Sequence, residues 1–482
     1  MADGTSPTPG PPAAGRPAAR LVPETDATRI EGIRAAQRAF FKSGATLSRA
    51  FREEQLRSLC RALDKFETKI AAALFEDLGK SAAQTYITEI GLVKADCNRA
   101  IKRLPDWMKP RAGLPGVALA PAITHRVPQP LGLNLIIAPW NYPVQLALAP
   151  LVGAIAAGNV AVVKPSEVAS ASSAVIEEII ADTFAPEHIA CVTGGVETST
   201  RLLAVRWDHL FFTGGTVVGK IVAHAAAEHF SRVTLELGGK SPTIVTATAD
   251  LDIAAKRIVF GKCTNAGQTC IAPDYVLVER SVHDGLLSRM SDSLKDFYGP
   301  DPQRASDYGR IINDRHFERL CRLIDPDKVF VGGQSDPADR YIAPTILRDV
   351  TYDDAVMQSE IFGPILPVIA IDSLDEAISL IDRHPNPLAL YLFTGDREDE
   401  QKVTDQVSFG DGCINQTLVQ FADHNVPFGG VGHSGTGSYH GDASFWTFSH
   451  VKGVVKGANM LDLSMRYPPF DKNMGLIRRV IG

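Results

Sequence analysis

The sequence has little of what marks membrane proteins or nucleic-acid binders. No stretch reaches the roughly 20 uninterrupted apolar residues that a membrane-spanning helix needs, and the mean hydropathy is +0.00. The net charge is only −6 over 482 residues, whereas a general nucleic-acid binder needs a basic surface. We therefore expect a protein with no integral membrane segment and no nucleic-acid partner.

Cysteine is sparse and irregularly placed. An odd number of cysteines without regular spacing is not a disulfide framework, and the absence of a C-x-x-C pair argues against a structural zinc site. Free thiols persist in a reducing compartment, so the pattern predicts a cytoplasmic protein that holds no metal. The seven positions are Cys60, Cys97, Cys191, Cys263, Cys270, Cys321 and Cys413.

Both ends of the chain differ in composition from its middle. The first 23 residues are rich in Pro, Gly, Ala and Thr and contain no apolar run of signal-peptide length. We predict a disordered tail over residues 1–28. The last five residues, 478–482, are short and basic, which favours a solvated terminus over the alternative of a membrane-surface contact.

The periodicity of the sequence predicts an α/β protein. An apolar stripe with spacings of three and four predicts a helix over 46–80, ended by Gly79, and six prolines between Pro105 and Pro130 predict an extended strand or hairpin. From Leu131 onward, strands, polar or glycine turns and helices alternate, which is typical of a parallel doubly wound sheet. Ligands bind such sheets at the carboxyl ends of the strands. The predicted strands are 133–138, 160–163, 210–212, 243–245, 275–278 and 366–371.

Three motifs carry residues suited to nucleophilic chemistry. Cys270 ends the run Asn-Ala-Gly-Gln-Thr-Cys, where a glycine-containing turn can expose a thiol, although an isolated cysteine is more often buried and inert. Glu236 lies between Leu235 and Leu237 ahead of two glycines, and partial desolvation there would raise its pKa and make it a general base. Asn141, between two prolines on a stiff turn, can offer a fixed donor to an oxyanion. Taken singly, Glu236 also fits a surface carboxylate and Asn141 a structural turn residue.

Three further motifs suit a dinucleotide. The turn Thr213-Gly214-Gly215 opens a helix containing Gly219 and offers free amides to a pyrophosphate, but as a pattern it is weaker than G-x-G-x-x-G. Lys-Pro-Ser-Glu follows a strand at 164–167, where a surface charge pair is the alternative interpretation. Glu-Ile-Phe-Gly-Pro at 360–364 also fits a turn at a strand edge.

Together, these six motifs resemble the aldehyde dehydrogenase superfamily, in the family's order and across residues 138–364. The stretch 427–450 and Arg-Tyr-Pro-Pro-Phe at 466–470 resemble its class 3, fatty-aldehyde branch. The resemblance implies NAD(P)-dependent oxidation of medium- or long-chain aliphatic or aromatic aldehydes to acids. It implies that Cys270 is the nucleophile, that Asn141 binds the oxyanion, and that Glu236 activates the water that hydrolyses a thioester. It also implies that NAD or NADP contacts Trp140, Lys164, Glu167, Thr213, Gly214, Gly219, Glu360 and Phe362.

The same resemblance implies the domain organisation and the assembly. It predicts a Rossmann-type cofactor domain over 29–235, interrupted by an arm segment at about 115–132, and an α/β catalytic domain over 236–419. A bridging β arm at 420–450 would build a homodimer, and 451–482 would form a C-terminal tail. The alternatives are a CoA-acylating aldehyde dehydrogenase, which would not need Glu236, a cysteine hydrolase, which would need a histidine near Cys270, and a non-enzymatic structural protein.

Overall fold

A computed structural model describes residues 20–114, 119, 121–459 and 466–481. Residues 1–19 of the predicted tail, residues 115–118 and 120 of the predicted arm segment, and residues 460–465 and 482 of the C-terminal tail lie outside the described residues. The prediction of disorder is wrong for residues 20–28. Thr25 is buried there: its hydroxyl donates to the Thr193 carbonyl oxygen and its backbone amide donates to the Thr198 hydroxyl. The first helix already begins at Ala27.

Helices and strands alternate along most of the chain. The helices are α1 Ala27–Lys42, α2 Arg49–Leu78, α3 Ala82–Thr85, α4 Gly91–Trp107, α5 Pro143–Ala157, α6 Ser170–Thr183, α7 Val196–Leu203, α8 Thr216–Glu228, α9 Leu251–Cys263, α10 His283–Tyr298, α11 Asp314–Cys321, α12 Leu374–Ile381, α13 Arg397–Gln406, α14 Gly441–Thr447 and α15 Met474–Ile481. The strands are β1 Arg111–Gly113, β2 Ala122–Pro130, β3 Leu133–Ile137, β4 Val160–Lys164, β5 Ile189–Cys191, β6 His209–Thr213, β7 Arg232–Glu236, β8 Pro242–Val245, β9 Tyr275–Glu279, β10 Val329–Val331, β11 Ser335–Asp336, β12 Tyr341–Ile342, β13 Thr345–Leu347, β14 Ile365–Ile371, β15 Ala389–Phe393, β16 Asp411–Ile414, β17 Gly435–Thr436 and β18 Ser449–Gly457.

The long helix α2 shows how the sequence pattern sets an element. The Ser48 hydroxyl accepts a hydrogen bond from the Phe51 amide and caps the start of the helix. Gly79 ends it in the left-handed region at φ 68°, which glycine adopts at no steric cost. The predicted helix over 46–80 is confirmed. Its apolar stripe is wholly buried, namely Leu56, Leu59, Leu63, Phe66, Ile70 and Leu74.

The first of two large sheets has the strand order β17-β7-β6-β3-β4-β5. The neighbouring strands β7, β6, β3, β4 and β5 are all parallel to one another, and β17 pairs with β7 antiparallel. Every residue of β3, β4 and β6 is buried, as expected for a parallel sheet covered on both faces. The chain order reverses between β3 and β6, so the ligand crevice of this sheet opens beyond the carboxyl ends of those two strands.

The second sheet has the strand order β10-β13-β14-β9-β8-β15-β16. All its neighbours are parallel except β10, which runs antiparallel to β13. The first sheet's β7 ends at Glu236 and the second sheet's β8 begins at Pro242. The predicted division at residue 235 falls beside that link.

An antiparallel arm of β1, β2 and β18 stands outside the two sheets. Its strand β18 pairs with β2 from Ser449 to Gly457, so the arm lies later in the chain than the predicted segment 420–450. The prediction of a C-terminal tail is wrong for residues 451–457, which form this strand. Val451, Val454 and Val455 favour extended backbone there. Most of 420–448 folds back against the first sheet instead. In the described parts of the chain, no helix has both the length and the apolar character to cross a bilayer.

Candidate active site

The predicted site residues converge on a cleft between the two sheets. Lys164, Thr213 and Glu236 each end a parallel strand of the first sheet, and Thr213 is directly opposite Glu236 in the register of β6 and β7. The loops that carry Cys270 and Glu360 precede β9 and β14 of the second sheet. The carboxyl edge of one sheet therefore faces the amino edge of the other across the site.

The loop before Cys270 is held in place by hydrogen bonds. Asn265, Ala266 and Gly267 all have positive φ, at 53°, 51° and 74°. The buried Gln268 side chain donates to the Asn265 and Arg310 carbonyl oxygens and accepts from the Ile312 amide. These bonds fix the backbone at Cys270, a residue that is partly exposed although its thiol is largely enclosed.

Gly267 joins the nucleophile loop to the loop that carries Glu360. A Cβ atom at Gly267 would lie 2.1 Å from the Gly363 carbonyl oxygen. Real Cβ atoms do not approach backbone oxygens so closely, and the positive φ of Gly267 adds strain for any other residue. Glycine at this position therefore allows the two loops to touch.

Asn141 lies buried on the turn after β3. Its Nδ2 atom donates to the Gln268 carbonyl oxygen at 3.0 Å, and its own carbonyl oxygen accepts from Asn265 Nδ2 at 2.9 Å. On the following residue, the Tyr142 hydroxyl is 2.6 Å from Thr269 Oγ1. The Asn141 turn and the loop before Cys270 are thus bonded along their length, which places an amide donor beside the nucleophile.

Glu236 is a buried carboxyl group at the end of β7. Among the described residues, neither of its oxygens has a hydrogen-bond partner. Burial raises the pKa of Glu236 well above its usual value, and the nearby charge of Asp411 raises it further. A carboxyl group in such surroundings is suited to take up a proton from a weak acid such as water.

The Cys270 thiol is difficult to ionise in this pocket. Its pKa is raised, chiefly by burial and then by the negative charges of Glu360 and Glu236. Because the thiolate is the nucleophilic form, the thiol needs a base to accept its proton. Glu236 is the neighbouring carboxylate with both oxygens available for that transfer.

The turns of the first sheet fit a dinucleotide. Lys164 Nζ contacts Glu167 Oε2 at 2.7 Å, with the lysine side chain buried and the carboxylate half exposed. Gly215 precedes α8 without a side-chain cap, and a Cβ there would meet no atom within 4 Å. The start of α8 therefore has free space beside Gly215 and no side-chain cap, which suits its first amides to a phosphate group. The buried Thr213 hydroxyl beside them lacks a partner within the described chain.

The other two glycines of this motif serve close packing. A Cβ at Gly214 would lie 2.6 Å from the Phe212 ring, and a Cβ at Gly219 would lie 2.5 Å from Leu237 Cδ2. Gly219 thus lets α8 approach the chain just beyond Glu236. Gly219 lies within helix α8 and reaches the edge of the site by packing. Its backbone does not line the open crevice.

The loop at 360–364 supplies a carboxyl group and an aromatic ring. The pKa of Glu360 is raised to about 8, first by burial and then by Asp274, and a Cβ at Gly238 would lie 2.1 Å from its Oε2. The Phe362 ring stands edge-on to Trp140 with centroids 5.3 Å apart. Phe362 adopts φ 54°, a strained conformation for this residue type that is often found at binding sites.

Several buried residues of this region were not predicted from the sequence. Lys80 and Glu89 form an ion pair against the Asn141 turn, and Asp411 lies near Glu236. The Tyr439 and His440 rings meet edge-on, with centroids 4.2 Å apart, in an aromatic cluster with Phe421 and Phe428. None of these residues follows a predicted strand, so the strand-end motifs did not point to them. For Lys80, the sequence offered one signal, its position directly after the helix-ending Gly79.

Comparison with known proteins gives consistent results. The model of the aldehyde dehydrogenase family matches residues 11–454. A 4,4'-diaponeurosporen-aldehyde dehydrogenase of Staphylococcus aureus is 47% identical over 435 residues, covering 90% of this chain and 95% of the relative. Aldehyde dehydrogenase family 3 member A2 of Rattus norvegicus is 44% identical over 434 residues, covering 90% of each protein. The solved substrate-bound structure of Staphylococcus aureus AldH superimposes with a TM-score of 0.93 at 45% identity, covering 94% of this chain and 99% of that one.

Proposed function

The chain belongs to the aldehyde dehydrogenase family, and we propose that Cys270, Glu236 and Asn141 carry its reaction. It is an oxidoreductase that oxidises aldehydes with NAD or NADP, and the predicted likeness to the class 3 branch is confirmed by the family 3 relative. The single observation that supports these roles is their convergence. A thiol, an unpartnered carboxylate and an amide donor meet at one cleft between the sheets.

Cys270 forms the covalent intermediate. Its thiol gives up a proton and its sulfur bonds to the aldehyde carbon, so that the carbonyl oxygen becomes an oxyanion. Asn141 Nδ2 and the Cys270 amide stabilise that charge, which requires Asn141 to exchange its bond to the Gln268 carbonyl oxygen for one to substrate. NAD(P), when bound, would supply the hydride acceptor, and loss of hydride from the adduct would leave a thioester on Cys270.

Glu236 completes the cycle by accepting a proton from water. The water attacks the thioester carbon, the carbon–sulfur bond breaks and the carboxylic acid leaves, while the proton returns through Glu236 to sulfur or solvent. Burial raises the pKa of Glu236 above its usual value, which makes its carboxylate a stronger proton acceptor than an exposed one. Aldehyde, NAD(P) and water are thus converted to acid, NAD(P)H and a proton.

The cofactor residues fall into two groups. Lys164 and Glu167 fit the hydroxyls of the adenosine ribose, and Thr213 and the amides after Gly214 fit the pyrophosphate. Glu360, Phe362 and Trp140 fit the nicotinamide end, because the Glu360 loop touches the Cys270 loop through Gly267. Gly219 supports this surface by packing on Leu237 rather than by direct contact.

The substrate is a medium- or long-chain aliphatic or aromatic aldehyde. The aromatic cluster of Phe421, Phe428, Tyr439 and His440, on the segment after β16, supports this proposal, since its member Tyr439 lies near Cys270 and Glu236. The name of the Staphylococcus aureus relative gives 4,4'-diaponeurosporen-aldehyde as the aldehyde on which that protein acts.

We expect the protein to be a homodimer in the cytoplasm. Strand β18 pairs with β2 on one side, and in the described part of the chain no strand covers its other edge. Its exposed Val451, Val454 and Val455 make that edge suited to pairing with another chain. The free cysteines support a reducing compartment. Size-exclusion chromatography with light scattering tests the dimer.

A direct test uses purified protein with NAD or NADP and a panel of aldehydes from acetaldehyde to hexadecanal. Cofactor reduction is expected, with kcat/KM rising along the series. Cys270→Ser should abolish turnover. Undiminished turnover by Cys270→Ser would overturn the proposed role of the thiol.

A further inference from the structure

We propose that the buried ion pair of Lys80 and Glu89 positions Asn141 for the oxyanion, so that both are positioning residues for the reaction. This inference rests on the proposed function, because it assigns them to the Asn141 turn. Lys80 and Glu89 lie in the segment between α2 and α4, outside the motifs that the sequence singled out. Both side chains are fully buried, with exposed fractions of 1% and 0%.

Lys80 contacts the backbone of the turn itself. Its Nζ atom donates to the Asn141 carbonyl oxygen at 3.0 Å and to Glu89 Oε1 at 2.7 Å. The same ammonium group lies 3.9 Å from the centroid of the Tyr142 ring, within the range of a cation–π contact. Lys80 thus holds two consecutive residues, one bearing the amide donor and the other bonded to Thr269 beside Cys270.

Glu89 fixes the other side of the turn. Its Oε2 atom accepts from the Val144 and Gln145 amides at 2.9 and 3.0 Å, which are orphan donors in the first turn of α5. The helix has no side-chain cap from its own N-cap residue, Tyr142. A carboxylate is favourable at this helix end because it also meets the positive end of the helix dipole. Glu89 therefore fixes where α5 begins.

The backbone around Glu89 is irregular. Residues Tyr86–Ile90 form a π-helical turn that leads directly into α4. Such turns insert one extra residue into a helix and are frequent at functional sites. The extra residue rotates the chain, so that the Glu89 carboxylate reaches α5 while the exposed Ile87 faces away.

A stability role alone would not require this arrangement. An ion pair that only stabilises the core can be replaced by apolar residues of similar volume without loss, and it need not bind the carbonyl of a reactive turn. Lys80 and Glu89 instead hold the residues on both sides of the Asn141 side chain. The donor can then exchange the Gln268 carbonyl oxygen for an oxyanion without reorganising its backbone, which is the condition for strong electrostatic stabilisation.

The test is a double-mutant cycle between the ion pair and Asn141. The variant Lys80→Met/Glu89→Gln removes both charges together while keeping side-chain volume and an oxygen that can cap α5. We expect kcat/KM to fall by about 10–10², part of the 10²–10³ effect of losing an oxyanion donor entirely. In an Asn141→Ala background the same two substitutions should change kcat/KM by less than about twofold, because no amide remains to be positioned. Equal losses in both backgrounds would overturn the inference.

Arg52→Met is the matched control. Arg52 is also buried and charged, and it binds the Ala156 carbonyl oxygen at the opposite end of α5, roughly 20 Å from the Asn141 turn at 1.5 Å per residue. The variant Arg52→Met should lower the Tm, but its effect on kcat/KM should be the same with and without the Asn141→Ala substitution. If Lys80→Met/Glu89→Gln lowered the Tm to the same degree but left kcat/KM unchanged, the pair would be structural only and the inference would be wrong.

Hydrogen exchange separates this inference from the proposed function. The peptide covering 139–146 should exchange faster in Lys80→Met/Glu89→Gln than in the wild type, and should be unchanged in Arg52→Met. If the wild type failed to oxidise aldehydes, the proposed function would fall, while unchanged exchange in this peptide would independently overturn the positioning role.

Discussion

Replacing Glu236 by Gln tests which step the buried carboxyl group serves. The substitution preserves shape and removes the ability to accept a proton. Its surroundings make the effect specific, since neither carboxyl oxygen has a hydrogen-bond partner among the described residues. No existing hydrogen bond is therefore broken, and the loss measures the proton transfer itself.

The expected loss follows from the role of a general base. Removing one costs about 10²–10⁴ in the step it assists, which corresponds to about 3–5 kcal/mol at 1.36 kcal/mol per tenfold. If Glu236 acts only in deacylation, a rapid burst of about one NAD(P)H per active site should persist. Steady-state turnover should then fall by the full factor, and acyl groups should accumulate on Cys270.

Stopped-flow cofactor reduction and intact mass spectrometry distinguish the possible roles. A normal burst with an acyl adduct assigns Glu236 to deacylation. A slowed burst without an adduct assigns it to deprotonation of Cys270 as well, which the raised pKa of that thiol makes reasonable. Normal steady-state turnover would refute the reasoning and show that another group activates the water.

Asp411→Asn is the matched control for Glu236→Gln. Asp411 is a second buried carboxyl group near Glu236, with its pKa raised to about 7 by burial, and asparagine keeps the oxygen that accepts from Gln420 Nε2. Turnover at neutral pH should change by no more than a few fold. Because the charge of Asp411 raises the pKa of Glu236, its removal should move the acidic limb of the turnover profile to lower pH. A loss as large as that of Glu236→Gln would assign the base to Asp411.

Three further predictions concern the thiol, the oxyanion and the cofactor. Alkylation of Cys270 in the cofactor-free protein should rise with pH above the range of an ordinary cysteine, and Glu360→Gln should shift that profile to lower pH because a neighbouring charge is lost; an unshifted profile would contradict this. Asn141→Ala should lower kcat/KM by about 10²–10³ with little change in cofactor affinity, whereas a variant within about twofold of wild type would remove Asn141 from the mechanism. Glu167→Gln should reduce a modest preference for NAD over NADP, since an acidic residue near the ribose opposes a 2′-phosphate; equal kcat/KM for both cofactors in both proteins would contradict this role.

Sequence patterns located the parts of the site that follow buried strands. Val160–Lys164 and His209–Thr213 are continuous apolar runs ended by a polar turn, and in a parallel sheet such turns meet at one edge. The motif residues at 164, 213 and 236 lie at the same edge of the first sheet for that reason. The predicted strands differ from the observed ones by a residue or so at each end, which does not move these turns.

The prediction that desolvation raises the pKa of Glu236 is confirmed, but the sequence did not identify the groups that enclose the carboxyl group. The sequence attributed this desolvation to the flanking Leu235 and Leu237, and both leucines are buried. Along a strand, however, neighbouring side chains point to opposite faces, so Leu235 does not enclose the carboxyl group. The carboxyl group is enclosed by groups from distant parts of the chain, including Asp411 on β16 and Gly435 of β17, which pairs with Glu236.

Lys80 and Glu89 show most clearly what a single sequence does not reveal. A lysine after a helix-ending glycine and a glutamate in a helical segment are ordinary surface residues by pattern alone. Their burial follows from α4 and α5 packing together while the Asn141 turn closes over the same point, an arrangement set by contacts between residues more than 50 positions apart. The chemistry of the site was therefore readable from the strand-end motifs, whereas the residues that hold those motifs in place depend on tertiary packing. Because a reactive group must be fixed by residues whose own positions are fixed, such supporting pairs are where substitutions outside the motifs should most affect turnover.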